Sequence, residues 1–285
     1  MTSALELLRD ATAQLAGAGV ASPRVDAELL LAHVLSVERA RLVLNHDPDA
    51  KSRAEYAELV RRRANREPLQ HIVGLAPFRH LLLAVGPGVF VPRPETELLV
   101  DAVLPILRDL DRPVVVDLCA GSGALALAIA NEVPAARVHA VERSPAALEW
   151  LRRNAATSDI TVVDADVKDP ALLRDLRGAV DVVVSNPPYV PSATQVEPEV
   201  HADPDEAVFA GADGLALMPA VIERAGELLR PGGMSAVEHD DTHAHAVLEL
   251  LRADARWDKI TDHADLSGRA RFATARRASA PLLAN

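Results

Sequence analysis

Asn186-Pro187-Pro188-Tyr189 is the stretch of this chain best equipped to do chemistry. It follows directly on Asp181-Val182-Val183-Val184-Ser185, whose β-branched run reads as a buried strand, so a carboxamide is expected at a strand's C-terminal edge. A planar NH2 group presents two in-plane hydrogens. The Asn186 side-chain oxygen and the main-chain carbonyl of Pro187 can accept them together, and the two prolines stiffen the backbone between. Tyr189 adds a flat face beside the same target. Accepting both hydrogens orients the nitrogen lone pair and supports the charge that develops on it, which suits methylation of an amide or an exocyclic amine. Asn-Pro pairs mark ordinary turns more often than active sites, so the reading rests on the strand edge and on a second element upstream.

That second element is Val114-Val115-Val116-Asp117-Leu118-Cys119-Ala120-Gly121-Ser122-Gly123, ahead of an apolar helical run over residues 124–130. It reads as strand, tight turn and helix. Gly121 and Gly123 would let the backbone pass close under a bound ligand, where a side chain would collide; Cys119, Ala120 and Ser122 complete the turn. The next strand ends in Glu142, roughly twenty residues beyond the glycines, the spacing of a carboxylate that grips ribose hydroxyls. The glycines do not complete a G-x-G-x-x-G and no Lys-Ser/Thr follows them, so a pyrophosphate or triphosphate is poorly provided for. A nucleoside without phosphates fits better. After a third strand, Asp164 or Asp166 could accept an adenine amino group; a helix-capping Asp ahead of Pro170 is the competing reading.

Positioning these residues takes alternating strands and helices. Strands over 114–118, 138–141, 160–163 and 182–185, with helical stretches between, imply βαβ units in an α/β, Rossmann-like domain whose mostly parallel sheet is covered on both faces. Ligands then belong at the strands' carboxyl ends, where the glycine loop, Glu142, Asp166 and Asn186 converge. The chain divides near residue 80. Residues 1–77 read as a small helical bundle, with Ser22-Pro23 as N-cap and first turn and Ser52 with Glu55 as a capping box. Val25, Leu29, Leu30 and Val34 form its expected core stripe, and Leu5, Leu8 and Leu15 come from a preceding helix. No cluster of nucleophiles or acids lies there, so its expected job is recognition or packing. Residues 78–92 read as a β-hairpin linker, 78–85 pairing with 89–91 about Gly86-Pro87-Gly88, and 93–285 as the catalytic domain.

At 285 residues and 49% hydrophobic, the chain can bury a full core. Its formal net charge of -11 repels a phosphate backbone at long range, so a nucleic-acid substrate would require a concentrated basic patch. The compact candidate is Arg61-Arg62-Arg63 with Arg66, which reads as a solvated helix face balanced by Glu55 and Glu58. The single cysteine, Cys119, excludes an intramolecular disulfide, makes a Cys-rich zinc site implausible and suits packing better than a reactive thiol. No spacing of the ten histidines demands a metal. Glu6, Arg9 and Asp10 argue against a signal peptide and no apolar run approaches membrane-spanning length, so the cytoplasm is the expected compartment. A monomer is the expected state.

Together these motifs resemble the class I S-adenosylmethionine-dependent methyltransferases. Phe90-Val91-Pro92-Arg93-Pro94-Glu95-Thr96-Glu97 is similar to the signature of the PrmC/HemK glutamine amide methyltransferases, which modify the Gly-Gly-Gln loop of peptide-chain release factors. The similarity continues through Arg66-Glu67-Pro68-Leu69-Gln70, Gly74, residues 210–215, Pro231-Gly232-Gly233, Glu238-His239 and residues 265–269. It departs at Asp203-Pro204-Asp205-Glu206, and at Val167, where a bulkier residue is common.

The resemblance implies S-adenosylmethionine as cofactor, S-adenosylhomocysteine as product, antiparallel terminal strands over residues 234–272, and a helical domain that helps receive the protein substrate. It assigns the cofactor to Cys119, Ala120, Gly121, Ser122, Gly123, Glu142, Asp166, Val167 and Asn186, preferring Asp166 over Asp164. The substrate falls to Asn186, Pro187, Pro188 and Tyr189, with Asn186 and Pro187 catalytic in a direct in-line methyl transfer. Arg93 and Glu97 would frame the cofactor entrance or form surface ion pairs. Three rival readings stand beside this one: a glutamine methyltransferase of a ribosomal protein, a nucleic-acid exocyclic-amine methyltransferase, which the acidic charge and the 92–97 signature oppose, and a noncatalytic nucleotide-binding or assembly module.

Overall fold

The computed structural model describes residues 3–44 and 48–279. It divides into two compact units: residues up to Leu75 together with Val196–Ala202, and Ala76–Gln195 together with the chain from Asp203 onward. Among the described residues, no helix is long and apolar enough to cross a membrane.

The first unit holds α1 (Ala4–Gly17), α2 (Pro23–Leu35), α3 (Ala50–Ala64) and the short α4 (Leu69–Val73). Ser3 and Glu6 close a reciprocal capping box on α1, and Pro23 occupies the first position of α2 after Ser22. The cap of α3 differs from expectation. Asp49, not Ser52, begins that helix, its carboxylate accepting the Ser52 N–H at 2.7 Å, because it offers the same acceptor one turn earlier.

Leu8, Leu15, Ala27, Leu30, Leu31, Tyr56, Leu59 and Val60 build the core, and the Tyr56 hydroxyl donates to the Ala27 carbonyl. Of the expected stripe, Leu30 is inside while Val25, Leu29 and Val34 are half-buried, and Leu5 is 68% exposed. The consecutive apolar residues 29–32 leave the phase of α2 undetermined by periodicity, and the buried face carries an acid, Asp26. Asp26 is tolerated there because the equally buried Arg63 meets it at 2.8 Å. Arg63 and Arg66 also grip Glu199, which fastens the returning segment Val196–Ala202 to this unit.

In the second unit, β1 (Leu75–Phe78) and β2 (Leu81–Ala84) form a two-stranded sheet. The hairpin therefore turns at Arg79-His80, ahead of the expected Gly86-Pro87-Gly88. Arg79 takes φ 50°, a conformation more usual for glycine, and is held by tertiary contacts: its N–H donates to Glu97, and its guanidinium pairs with Asp101 and Glu132. Such partners are invisible to turn chemistry.

Next come α5 (Glu97–Arg108), β3 (Val114–Leu118), α6 (Ala124–Glu132), β4 (Arg137–Glu142), α7 (Pro145–Ala155), β5 (Thr161–Asp164) and β6 (Val180–Ser185). The chain ends through α8 (Asp205–Val208), α9 (Met218–Leu228), β7 (Leu229–Glu238), α10 (Ala244–Ala253), β8 (Trp257–Ala264) and β9 (Ala270–Arg277). The strands join in one sheet of order β5-β4-β3-β6-β7-β9-β8, parallel from β5 to β7 and antiparallel where β9 meets β7 and β8.

Alternation along β3 and β6 sorts the core into two layers. Val115, Val182 and Val184 face α5, α6 and α7, whereas Val114, Val116 and Val183 face α9 and α10. The strand order reverses direction at β3, whose neighbours β4 and β6 depart to opposite sides, so the crevice at its carboxyl end is where an open sheet of this type receives a ligand. Leu118 pairs with Val141 on one side and Ser185 on the other. Cys119, Glu142 and Asn186 thus lie side by side at the strand ends.

Candidate active site

A cavity opens at that crevice, walled by the 119–122 loop, Asp117, Glu142, Val167, Asn186, Pro188, and by Phe90 and Thr96 from the segment before α5. The glycine loop turns through three left-handed residues, Cys119 (φ 64°), Gly121 (φ 56°) and Gly123 (φ 89°). The two glycines serve different ends. A Cβ on Gly121 would meet nothing within 4 Å, leaving open space on the cavity side. A Cβ on Gly123 would lie 2.6 Å from Leu151 of α7, so its smallness serves helix packing, not the ligand approach expected of it, and it does not line the cavity. Burial, with Glu142 and Asp117 nearby, pushes the Cys119 thiol well above its ordinary pKa, which suits packing.

Glu142 binds the loops together. One carboxylate oxygen accepts the Gly121 N–H at 2.9 Å, and the other accepts the N–H groups of Arg143 and Ser144 at 2.8 Å each. An ionised carboxylate has about four acceptor sites, so one remains for a ligand hydroxyl. Asp117 also reaches the cavity. Its Oδ2 accepts from the Ala126 N–H at 3.1 Å, while Oδ1 is buried without a hydrogen-bond partner. Asn154 braces the wall from behind, its amide nitrogen donating to the carbonyls of Ser122 and Ala84.

Val167 lines the cavity, but Asp166 does not; its Oδ1 turns back to accept the Lys168 N–H at 2.8 Å, and its other oxygen lies 3.5 Å from Arg143. It serves the local turn, and no helix starts there. Arg93 and Glu97 are each engaged elsewhere: Arg93 lies over the Phe90 ring and pairs with the buried Asp203, and Glu97 anchors the hairpin turn.

Asn186 and Pro188 sit at the cavity's edge, with Pro187 buried between them. Asn186 Nδ2 donates to Thr96 Oγ1 at 3.1 Å. Thr96 in turn donates to Glu238 Oε2 at 2.7 Å, and the Tyr189 hydroxyl donates to Glu238 Oε1 at 2.8 Å. Tyr189 itself is not part of the cavity wall. The Asn186 oxygen carries no hydrogen bond to a described residue, which leaves it open to a donor in the cavity.

Residues 6–74 match the PrmC N-terminal domain, and residues 86–203 the methyltransferase small domain. The chain is 52% identical over 279 residues to a release factor glutamine methyltransferase of Mycolicibacterium smegmatis, covering 97% of this chain and 99% of that protein. It is 50% identical to the protein so named in Streptomyces coelicolor, over 98% of this chain and 99% of the relative. The chain belongs to the release factor glutamine methyltransferase family. In this family member, the motif residues from the glycine loop, Glu142 and Asn186 gather at one crevice. Three residues of that site were missed in sequence reading. Asp117 looks like another strand residue after three valines, Thr96 lies inside a signature with no role attached to it, and Glu238 has its partners far away along the chain. For Asp117, an acid inside a β-branched run immediately before a glycine turn is the available signal.

Proposed function

We propose that this protein transfers a methyl group from S-adenosylmethionine to the side-chain amide nitrogen of the glutamine in the Gly-Gly-Gln loop of a peptide-chain release factor, and so acts in the cytoplasm on the machinery of translation termination. The observation that carries this reading is the Asn186 carboxamide, tied by its nitrogen and open at its oxygen, one residue beyond a strand end in register with the glycine loop.

The residues present fit the cofactor. The partnerless Asp117 oxygen suits its ammonium group, the remaining acceptor site on Glu142 suits a ribose hydroxyl, Gly121 leaves room for close approach, and Val167 offers an apolar wall. When bound, S-adenosylmethionine supplies a methyl group on a sulfonium and leaves as S-adenosylhomocysteine.

An amide nitrogen is a poor nucleophile because its lone pair is delocalised into the carbonyl, so it must be held close and in line. Asn186 accepts one of its hydrogens through Oδ1, and the Pro187 carbonyl accepts the other. As the nitrogen becomes more positive both hydrogen bonds strengthen, which favours the transition state over the ground state. The extra proton passes to water. Nucleic acid is disfavoured as substrate, since Arg61, Arg62, Arg63 and Arg66 are all neutralised by carboxylates and the chain carries a net charge of -11.

Asn186→Ala is expected to leave S-adenosylmethionine affinity nearly intact while lowering turnover roughly a hundredfold. The assay pairs labelled methyl donor with a release factor whose Gly-Gly-Gln glutamine is intact or changed to alanine. Label on both forms would refute the target, and parallel loss of binding and turnover would refute the role of Asn186.

A further inference from the structure

We propose that Thr96 and Glu238 are positioning residues that fix which way round the Asn186 carboxamide stands, nitrogen inward and oxygen toward the substrate amide. The inference deepens the reading above and rests on it. A carboxamide turned through 180° occupies almost the same space, so packing around Asn186 does not choose between the two orientations. The choice matters. A turned Asn186 would present its own NH2 to the substrate NH2, two donors facing each other where one acceptor is required.

While Glu238 is ionised, counting hydrogens settles the direction. Glu238, 1% exposed at the end of β7, meets two hydroxyls: Tyr189 at 2.8 Å and Thr96 at 2.7 Å. A carboxylate only accepts, and each hydroxyl has one hydrogen to give. Once the Thr96 hydrogen points to Glu238, its lone pairs can only accept, and the Asn186 group 3.1 Å away must offer NH2. Glu238 thereby braces both the first and the last residue of the Asn-Pro-Pro-Tyr tetrad. Two hydroxyls alone would not call for a charge here. A buried carboxylate is costly, and a glutamine would satisfy the same space. What the carboxylate adds is one-way polarity. Burial pushes its pKa above the ordinary value, with Glu95 adding to the rise and with the Thr96 and Tyr189 hydrogen bonds and Arg271 opposing it.

The test compares Thr96→Val, Thr96→Ser, Glu238→Gln and the double variant Thr96→Val/Glu238→Gln, with Asn186→Ala as reference. Each is assayed in the full chain with a release factor and labelled S-adenosylmethionine, and cofactor Kd is measured alongside. In Glu238→Gln the new NH2 can donate to Thr96, freeing the hydroxyl to donate to a turned Asn186. We expect kcat to fall on the order of tenfold or more in Glu238→Gln and Thr96→Val, with KM for the release factor and cofactor Kd within about twofold. Thr96→Ser should restore most of the rate, and Glu238→Gln should add little once Thr96→Val has broken the link.

If Glu238→Gln no longer binds cofactor, the comparison of Thr96→Val with Thr96→Ser decides alone. A kcat lost in the first and regained in the second supports the proposal. Equal kcat in the two, or parallel loss of kcat and cofactor affinity in Thr96→Val, overturns it. If Asn186→Ala abolishes transfer while Thr96→Val and Glu238→Gln keep wild-type kcat, the positioning inference fails and the proposed function stands. If Asn186→Ala is fully active, the proposed function itself fails and takes this inference with it.

Discussion

Asp117 lines the cavity with one buried oxygen that has no hydrogen-bond partner among the described residues. Burial pushes its pKa up to about 8; the Ala126 N–H works against the rise and nearby Glu142 adds to it. A carboxyl whose pKa is raised on folding contributes stability that is complete below its ordinary value near 4 and is lost as pH climbs through 8. A neighbouring ammonium reverses that preference. S-adenosylmethionine binding should therefore release protons near neutrality and tighten as pH rises from about 6 to 8, with both trends flattened in Asp117→Asn. Calorimetry in buffers of different ionisation enthalpy measures the release; an affinity that ignores pH over this range would remove Asp117 from the site. Why some of these residues were legible and others were not is a matter of distance along the chain. Asn186 and Glu142 announce themselves through residue type and spacing from a local motif. Glu238 acquires meaning only from Thr96, 142 residues away, and Tyr189, 49 residues away.

The glycine loop shows how one short element answers two demands. Gly121→Ala places a methyl in open space and costs mainly the left-handed backbone, about 1 kcal/mol, while narrowing the cavity. Gly123→Ala carries the same backbone cost and also drives a methyl into Leu151, for roughly 2 kcal/mol or more. Chemical denaturation should rank Gly123→Ala as the less stable, and cofactor titration should rank Gly121→Ala as the weaker binder; the opposite ranking would refute the division. Strands were the most legible elements because a buried parallel sheet writes unbroken β-branched runs, and β3 falls at its expected limits. The hairpin was misplaced because the turn at Arg79 is held by Glu97, Asp101 and Glu132 rather than by its own residues. The core stripe of α2 was misplaced because Asp26 looks like a surface residue until Arg63 is brought to it.

For the molecule as a whole, the chain divides after Leu75 into a helical unit and a sheet unit, and Val196–Ala202 returns to the former. Nothing in that segment's composition marks it as belonging to a bundle more than a hundred residues upstream. Glu199 does the fastening. Partial burial alone would raise its pKa, yet the hydrogen bonds from Arg66 and Arg63 hold it down at about 2, so its contribution to stability is present above its ordinary pKa near 4.5 and is lost as pH falls toward 2. Glu199→Ala leaves Arg63, 6% exposed, with Asp26 as its remaining carboxylate and should destabilise the helical unit by about 2 kcal/mol while leaving S-adenosylmethionine affinity unchanged. Thermal unfolding and cofactor titration of the variant check both halves of that expectation.

The same returning strip bears on inheritance and engineering. A bundle assembled from two stretches of sequence cannot be lifted out by one cut in the gene: a fragment ending at Leu75 lacks the strip carrying Glu199, and a fragment starting at Ala76 carries it away from the arginines that hold it. Exchange of the helical part between relatives would succeed only if both pieces travelled together.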